Sequence, residues 1–142
     1  MRELDDVLGL SDLASGALND RRRGRNTVHR LGGLFRQSVY GRRAGSKDVN
    51  DAERLSLDPV IRQVVGGRAV DAQAALASQM GRFETETLAA PENRELLADL
   101  NGQWIDKFHD RNGLKYIVLN MDSSVSPTHG DQEGAAWNGY FD

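Results

Sequence analysis

Only one stretch of this chain reads as a β-strand, and everything before it carries helical spacing. Lys115-Tyr116-Ile117-Val118-Leu119-Asn120-Met121-Asp122 is a short run of apolar and β-branched residues, bounded by Asn112-Gly113 and by Ser123-Ser124. That is the pattern of a central strand covered on both faces. A lone strand cannot satisfy its own backbone N–H and C=O groups. It must therefore pair with the segment near Tyr140 or belong to a sheet whose other strands lie outside these 142 residues, and we favour the second.

Ahead of that run the apolar residues recur at three and four. Leu4, Val7 and Leu8, then Leu10, Leu13 and Leu18, have rough helical spacing interrupted at Gly9, with Ser11 as a candidate N-cap. The tract at residues 21–25 is broken by Gly24 and reads as a loop. Asn26 or Thr27 can cap a helix whose stripe is Val28, Leu31, Phe35 and Val39. Asp48 and Asp58 are further caps, Pro59 suits a first helical position, and Gly66-Gly67 stops the helix holding Ile61, Val64 and Val65. Met80, Phe83 and Leu88 mark the next helix. The clearest one opens at Pro91: Leu96, Leu100, Trp104 and Phe108 repeat every four residues, predicting a core-facing stripe, and Gly113 ends it.

Composition narrows the function classes. Hydrophobic residues at 39% and charged residues at 27% are enough for a packed core. The absence of cysteine excludes a disulfide framework and a thiolate zinc site. No apolar run approaches the roughly 18 residues of a membrane span, and Met-Arg-Glu-Leu-Asp-Asp lacks a signal peptide's apolar stretch. A soluble, cytoplasmic protein with no membrane partner is expected. The net charge of −3 hides an uneven distribution. Residues 20–47 hold nine bases against Asp20 alone, a local net of +8, whereas residues 48–142 hold eight bases against sixteen acids. A basic block in an acidic chain reads as an anion-binding surface, with nucleic acid the commonest partner, or else as a solvated basic loop. Its bases are mostly arginine, which forks onto phosphate oxygens. Arg21, Arg22, Arg23 and Arg25 are the candidate DNA contacts.

An aspartate at the carboxyl end of a buried strand is the place where ligands of α/β sheets collect, and a carboxylate there can hold Mg²⁺. Asp122 occupies that position; it can equally open a turn. Asn120-Met121-Asp122-Ser123-Ser124 superficially resembles the aspartate box of haloacid-dehalogenase phosphatases, but Asn120 stands where their nucleophilic aspartate must be. A closer match runs Ile117-Val-Leu-Asn-Met-Asp-Ser-Ser-Val-Ser-Pro-Thr-His-Gly-Asp-Gln-Glu-Gly. It is similar to the stretch around the first catalytic aspartate of bacterial insertion-sequence DDE transposases, with an Asp-Ser/Thr step followed by a His-Gly-x-Gln-x-Gly box. Upstream, Gly45-Ser-Lys-Asp-Val-Asn-Asp-Ala-Glu-Arg-Leu with Asp58-Pro59, and Ala77-Ser-Gln-Met-Gly-Arg-Phe-Glu, resemble two further segments of that family in the same order.

The resemblance implies a mainly α N-terminal region, residues 1–112, that binds DNA. It also implies an incomplete catalytic portion, residues 113–142, carrying the first strand of a ribonuclease-H-like α/β core. It implies DNA transposition: cutting at transposon ends and joining the freed 3′ ends to target DNA. The chemistry needs three carboxylates on two divalent ions, Mg²⁺ here, about 3.5–4 Å apart. By motif, Asp122 is the first of the three and so both catalytic and metal-binding; Asn120 replaces an acid that the family often has two positions earlier. The second aspartate and the glutamate belong to segments beyond residue 142, so the chain is expected to be the front part of a transposase and inactive alone. The competing class is a non-catalytic helical DNA-binding module, such as a repressor derived from a transposase. His129 can serve as a DNA or metal contact or as an ordinary turn residue, whereas His29 and His109 read as surface residues. Arg82 and Glu84 read as a helix-surface pair or a DNA contact. Partners expected are double-stranded DNA of transposon ends and a second copy, because two ends must meet; the protein would be nucleoid-associated when bound.

Overall fold

A computed structural model describes residues 2–113 together with Tyr116 and Val118. Eight α-helices run through it: α1 (Arg2–Leu8), α2 (Leu10–Ala17), α3 (Leu31–Arg43), α4 (Ala52–Leu57), α5 (Pro59–Val65), α6 (Arg68–Asp71), α7 (Ala77–Arg82) and α8 (Pro91–Asn112). Two 3₁₀ turns, Gly24–Thr27 and Val49–Asp51, precede α3 and α4, and α7 runs on into a π-helical segment, Phe83–Leu88.

The expected start of a ribonuclease-H-like α/β core is corrected: the described residues are helical, with no strand or sheet among them. Tyr116 and Val118, the two described members of the anticipated strand, have no regular structure and are each 81% exposed. A central strand needs neighbours on both edges and cover on both faces, and among the described residues neither has them. The remainder of the 115–122 run, Asp122 included, lies outside the described residues, as does His129.

Boundaries follow local chemistry. Gly9 takes φ 70°, a left-handed value that glycine adopts without penalty, and so separates α1 from α2. Asp48 accepts from the Asn50 amide at 2.8 Å; Asp58 accepts from Val60 and Ile61 at 2.8 and 3.0 Å, with Pro59 first in α5. Gly113, at φ 56°, ends α8. Helix α3 starts at Leu31, later than the Asn26/Thr27 cap predicts, because Thr27 Oγ1 instead donates to Gly24 O at 2.7 Å and closes the 3₁₀ turn. That shift rotates the buried face to Leu31, Leu34, Phe35 and Ser38 and leaves Val28 and Val39 exposed.

Helix α3 is the hub, with α2 on one side and α5 on another. The main core joins Ala14, Leu18, Leu34, Phe35, Met80, Phe83 and Leu100; a smaller one joins Leu55, Ile61, Val65, Ala69 and Ala74. At about 25 cal/mol per Å² of apolar surface removed from water, these clusters drive the assembly. Two buried amides fix chain reversals between them. Gln37 donates to Ala75 O at 2.6 Å and accepts from Ala75 N at 2.8 Å. Asn93 donates to Asn19 O at 2.9 Å and Thr87 O at 2.8 Å and accepts from Asn19 N at 2.8 Å. The stripe of α8 is buried only in its first half: Leu100 is in the core, Trp104 is half-buried, and Ile105 and Phe108 are exposed. The periodicity predicts core for Trp104 and Phe108 alike. It registers a face but not whether another element covers it.

Candidate nucleic-acid interface

The arginine tract divides into members with different duties. Arg22 is folded inward, its side chain only 13% exposed. It grips Asp20 through two parallel bonds, Nε to Oδ1 at 2.8 Å and Nη2 to Oδ2 at 2.6 Å, and Nη1 donates to His29 O at 3.0 Å. That fork holds the Asp20 carboxyl below its usual range, burial opposing. Arg22 thus ties the loop to the chain seven residues on. Arg21 stays 80% exposed while reaching Glu92 Oε1 at 2.5 Å, and Arg23 is exposed with no ion pair to the described residues. Arg25 has its backbone in the 3₁₀ turn.

Beyond the turn, His29 departs from the surface position that its sequence context suggests. It is half-buried, and three clefts meet at it. The widest, about 780 Å³, lies between α2, the start of α3 and Gly66-Gly67, with Arg30, Arg36 and Arg68 on its walls and Asp12 opposite. The second, about 300 Å³, is bounded by Arg22 and by Ser78, Gln79, Arg82 and Glu86 of α7 and the π-helical segment. The third, about 410 Å³, shares Arg68 and Gln79. Burial, then the Arg68 and Arg22 charges, lower the His29 pKa from its ordinary value.

Arg36, on the wall of the wide cleft, is held in an ion pair. Arg36 Nε donates to Asp5 Oδ2 at 3.0 Å and its Nη1 donates to Val65 O at 3.1 Å, while Asp5 also accepts from Ser11 N at 2.8 Å and Ser11 Oγ at 2.5 Å. Burial alone would push the Asp5 carboxyl up; the Ser11 and Arg36 bonds together hold it below the usual range. Arg82 and Glu84 do not pair with each other, because Glu84 takes Arg42 at 2.9 Å. None of Arg30, Arg68 and Arg82 forms an ion pair with the described residues.

A family model described as "Transposase DDE domain group 1" matches residues 1–142, the whole chain. The chain belongs to that family of DDE transposases. No curated protein and no solved structure matches it. The function of the family is DNA transposition, and its members use divalent metal ions. In this transposase chain, the described residues include no group of three or more His, Asp or Glu able to hold such an ion. They therefore do not fit a metal centre by themselves, and no helix among them is long and apolar enough to cross a membrane.

Sequence reasoning singles out residues 21–25 and names Arg82 as either a helix-surface residue or a DNA contact, but passes over Arg68 and the half-burial of His29. His29 and Arg68 carry no motif, and they meet only through tertiary packing, with α6 on α5 and α5 on α3. The signal that was available lies in Ala77-Ser-Gln-Met-Gly-Arg-Phe-Glu. Its Ser78, Gln79 and Arg82 line a cleft whereas its Met80 and Phe83 are core.

Proposed function

We propose that this transposase chain engages transposon-end DNA through its helical residues 1–112, with residues 21–25 touching phosphates, and that residues 113–142 bring the first catalytic carboxylate. Arg21, Arg23 and Arg25 reach phosphate oxygens, Arg22 holds the loop in shape for them, and His129 adds a contact from the second portion. Asp122 would be the first carboxylate to hold a divalent ion, and the ions of such a site would supply the activation of the attacking oxygen and the stabilisation of the leaving one. Two copies pair the two ends, and the bound protein is part of the nucleoid in the cytoplasm.

The observation that carries this reading is the exposure of Arg21 and Arg23 on a loop whose shape is already held by Arg22. Each phosphate neutralised contributes about −0.9 to the slope of log affinity against log salt. Arg21→Ala/Arg23→Ala should flatten that slope by up to about 2 in an anisotropy titration of labelled duplex DNA. Asp122→Asn should leave it unchanged. Salt-independent binding, or an unaltered slope in the double variant, contradicts the assignment.

A further inference from the structure

We propose that the clefts meeting at His29 are a second phosphate-contact surface, in which Arg68 and Arg82, with Arg30 at the rim, grip the sugar–phosphate backbone of the DNA beyond the reach of residues 21–25. The inference rests on the DNA-binding reading above and names a part of the surface which that reading did not assign.

The arginines of this protein fall into two groups. Arg2, Arg22, Arg36 and Arg62 spend their guanidinium N–H groups on the protein itself. Arg2 donates to Val64 O at 3.0 Å, Arg36 to Asp5 and Val65 O, Arg62 to Ala69 O at 2.8 Å, and Arg22 as described. Such arginines cap helix ends and hold loops, and their donors are committed before any ligand arrives. Arg30, Arg68 and Arg82 come from three separate elements and have no carboxylate partner among the described residues, yet they line clefts that share one residue, His29. Exposed unpaired arginines elsewhere, such as Arg54 and Arg94, line none of these clefts.

The charges facing the clefts favour an anion. Arg22 and Arg36 are offset by Asp20 and Asp5. Of the remainder, Arg30 and Arg68 outnumber Asp12 in the wide cleft, Arg68 meets no carboxylate in the third, and Arg82 stands across from a single acid, Glu86, among the residues of the second. A concave wall with an excess of one sign focuses field on whatever enters, and guanidinium forks match phosphate oxygens. The neutral donors suit the same occupant. Ser78 offers a hydroxyl, and Gln79, whose Oε1 accepts from Leu76 N at 3.0 Å, keeps its NH₂ group for a ligand. The surface also adjoins the arginine loop: Arg22 binds the carbonyl of His29 itself, so a strand lying over Arg21 and Arg23 passes this opening.

The test uses the full chain and a labelled mixed-sequence duplex, with affinity followed as salt is raised. Arg68→Ala/Arg82→Ala is expected to flatten the salt slope by about 2, at 0.9 for each phosphate no longer neutralised. Arg54→Ala/Arg94→Ala, with the same change in net charge, should keep the wild-type slope. Far-UV circular dichroism confirms that each variant is folded; should Arg68→Ala/Arg82→Ala be unfolded, Arg68→Gln and Arg82→Gln are measured singly, each expected to flatten the slope by about 0.9. A cleft variant with the wild-type slope, while Arg21→Ala/Arg23→Ala loses its share, overturns the cleft and leaves the DNA reading standing. Equal losses in the cleft and control variants reduce the effect to net charge and also overturn it. Absence of duplex binding by the unmodified chain removes both. Displacement of the duplex from the wild type by millimolar inorganic phosphate, with the cleft variant resistant, would show a single-anion pocket instead of a backbone contact and would likewise refute the proposal.

Discussion

Replacing Asp5 by Asn removes the charge that pairs with Arg36 while conserving shape. In the native protein this carboxylate is 2% exposed and accepts three hydrogen bonds, two from Ser11 and one from Arg36. An amide can still accept from the Ser11 backbone, but its NH₂ would face the Arg36 guanidinium. Breaking a buried pair from one side costs about 3–5 kcal/mol. Arg36 is 16% exposed and keeps its bond to Val65 O, which brings the expectation down to about 2–4 kcal/mol. With a urea m-value of about 1–3 kcal/mol/M, a loss near 3 kcal/mol moves the unfolding midpoint by about 1–3 M. Asp6→Asn is the matched control, because its pair with Arg2 at 2.9 Å has side chains 33% and 53% exposed and should cost no more than about 1 kcal/mol. Asp5→Asn/Arg36→Met, in which neither charge survives, should recover much of the loss. The native Asp5 pKa lies below its unfolded value, so the pair stabilises above the ordinary carboxylate range and its contribution disappears as pH falls through the lower native value. Asp5→Asn should blunt that acid limb. If urea melts place Asp5→Asn beside Asp6→Asn, the charge on Asp5 does not hold Arg36 and the electrostatic account of this pair is wrong.

Two further outcomes follow from other contacts. Gln37→Leu strands the Ala75 N–H and C=O in a buried setting and should cost about 2–6 kcal/mol in the same urea assay, at about 1–3 for each orphaned group; a loss under about 1 kcal/mol would mean that water replaces the amide. His29 titrates lower in the folded chain than in the unfolded one, so between about 6.5 and the native value the unfolded state holds more protons and stability declines as pH falls. His29→Gln should level the pH dependence of the unfolding free energy across that window, and an unchanged profile would exclude His29 as its source.

Short-range chemistry was legible and long-range partnership was not. Asp48, Asp58-Pro59 and the glycines at 9, 66 and 113 mark helix ends because capping and positive φ are decided within a few residues. Ser11 has the chemistry of a cap, yet it sits inside α2 and bonds Asp5 six residues earlier. The Lys115–Asp122 reading shows the same limit from the other side. Apolar β-branched residues describe a segment able to be a strand, but strand formation requires partners, and Tyr116 and Val118 have none among the described residues. Within the candidate site, charge locates residues 21–25, yet it cannot say that Arg22 turns inward, since that depends on Asp20 and the His29 carbonyl lying within reach. Nor can spacing bring Arg68 and Arg82 to clefts that have His29 in common, which arises only from the tertiary packing.

The Asn93 amide holds the Asn19 backbone by both its N–H and its C=O, and Arg22 fastens its own segment to His29. Between those two moorings the tract has surrendered most of its freedom before any partner arrives. A floppy basic tail would spend part of each contact's free energy on immobilising itself, whereas this one has its backbone anchored near both ends. Tightening on arrival should accordingly be slight, with recognition governed by how well the partner's contour suits a preset hand.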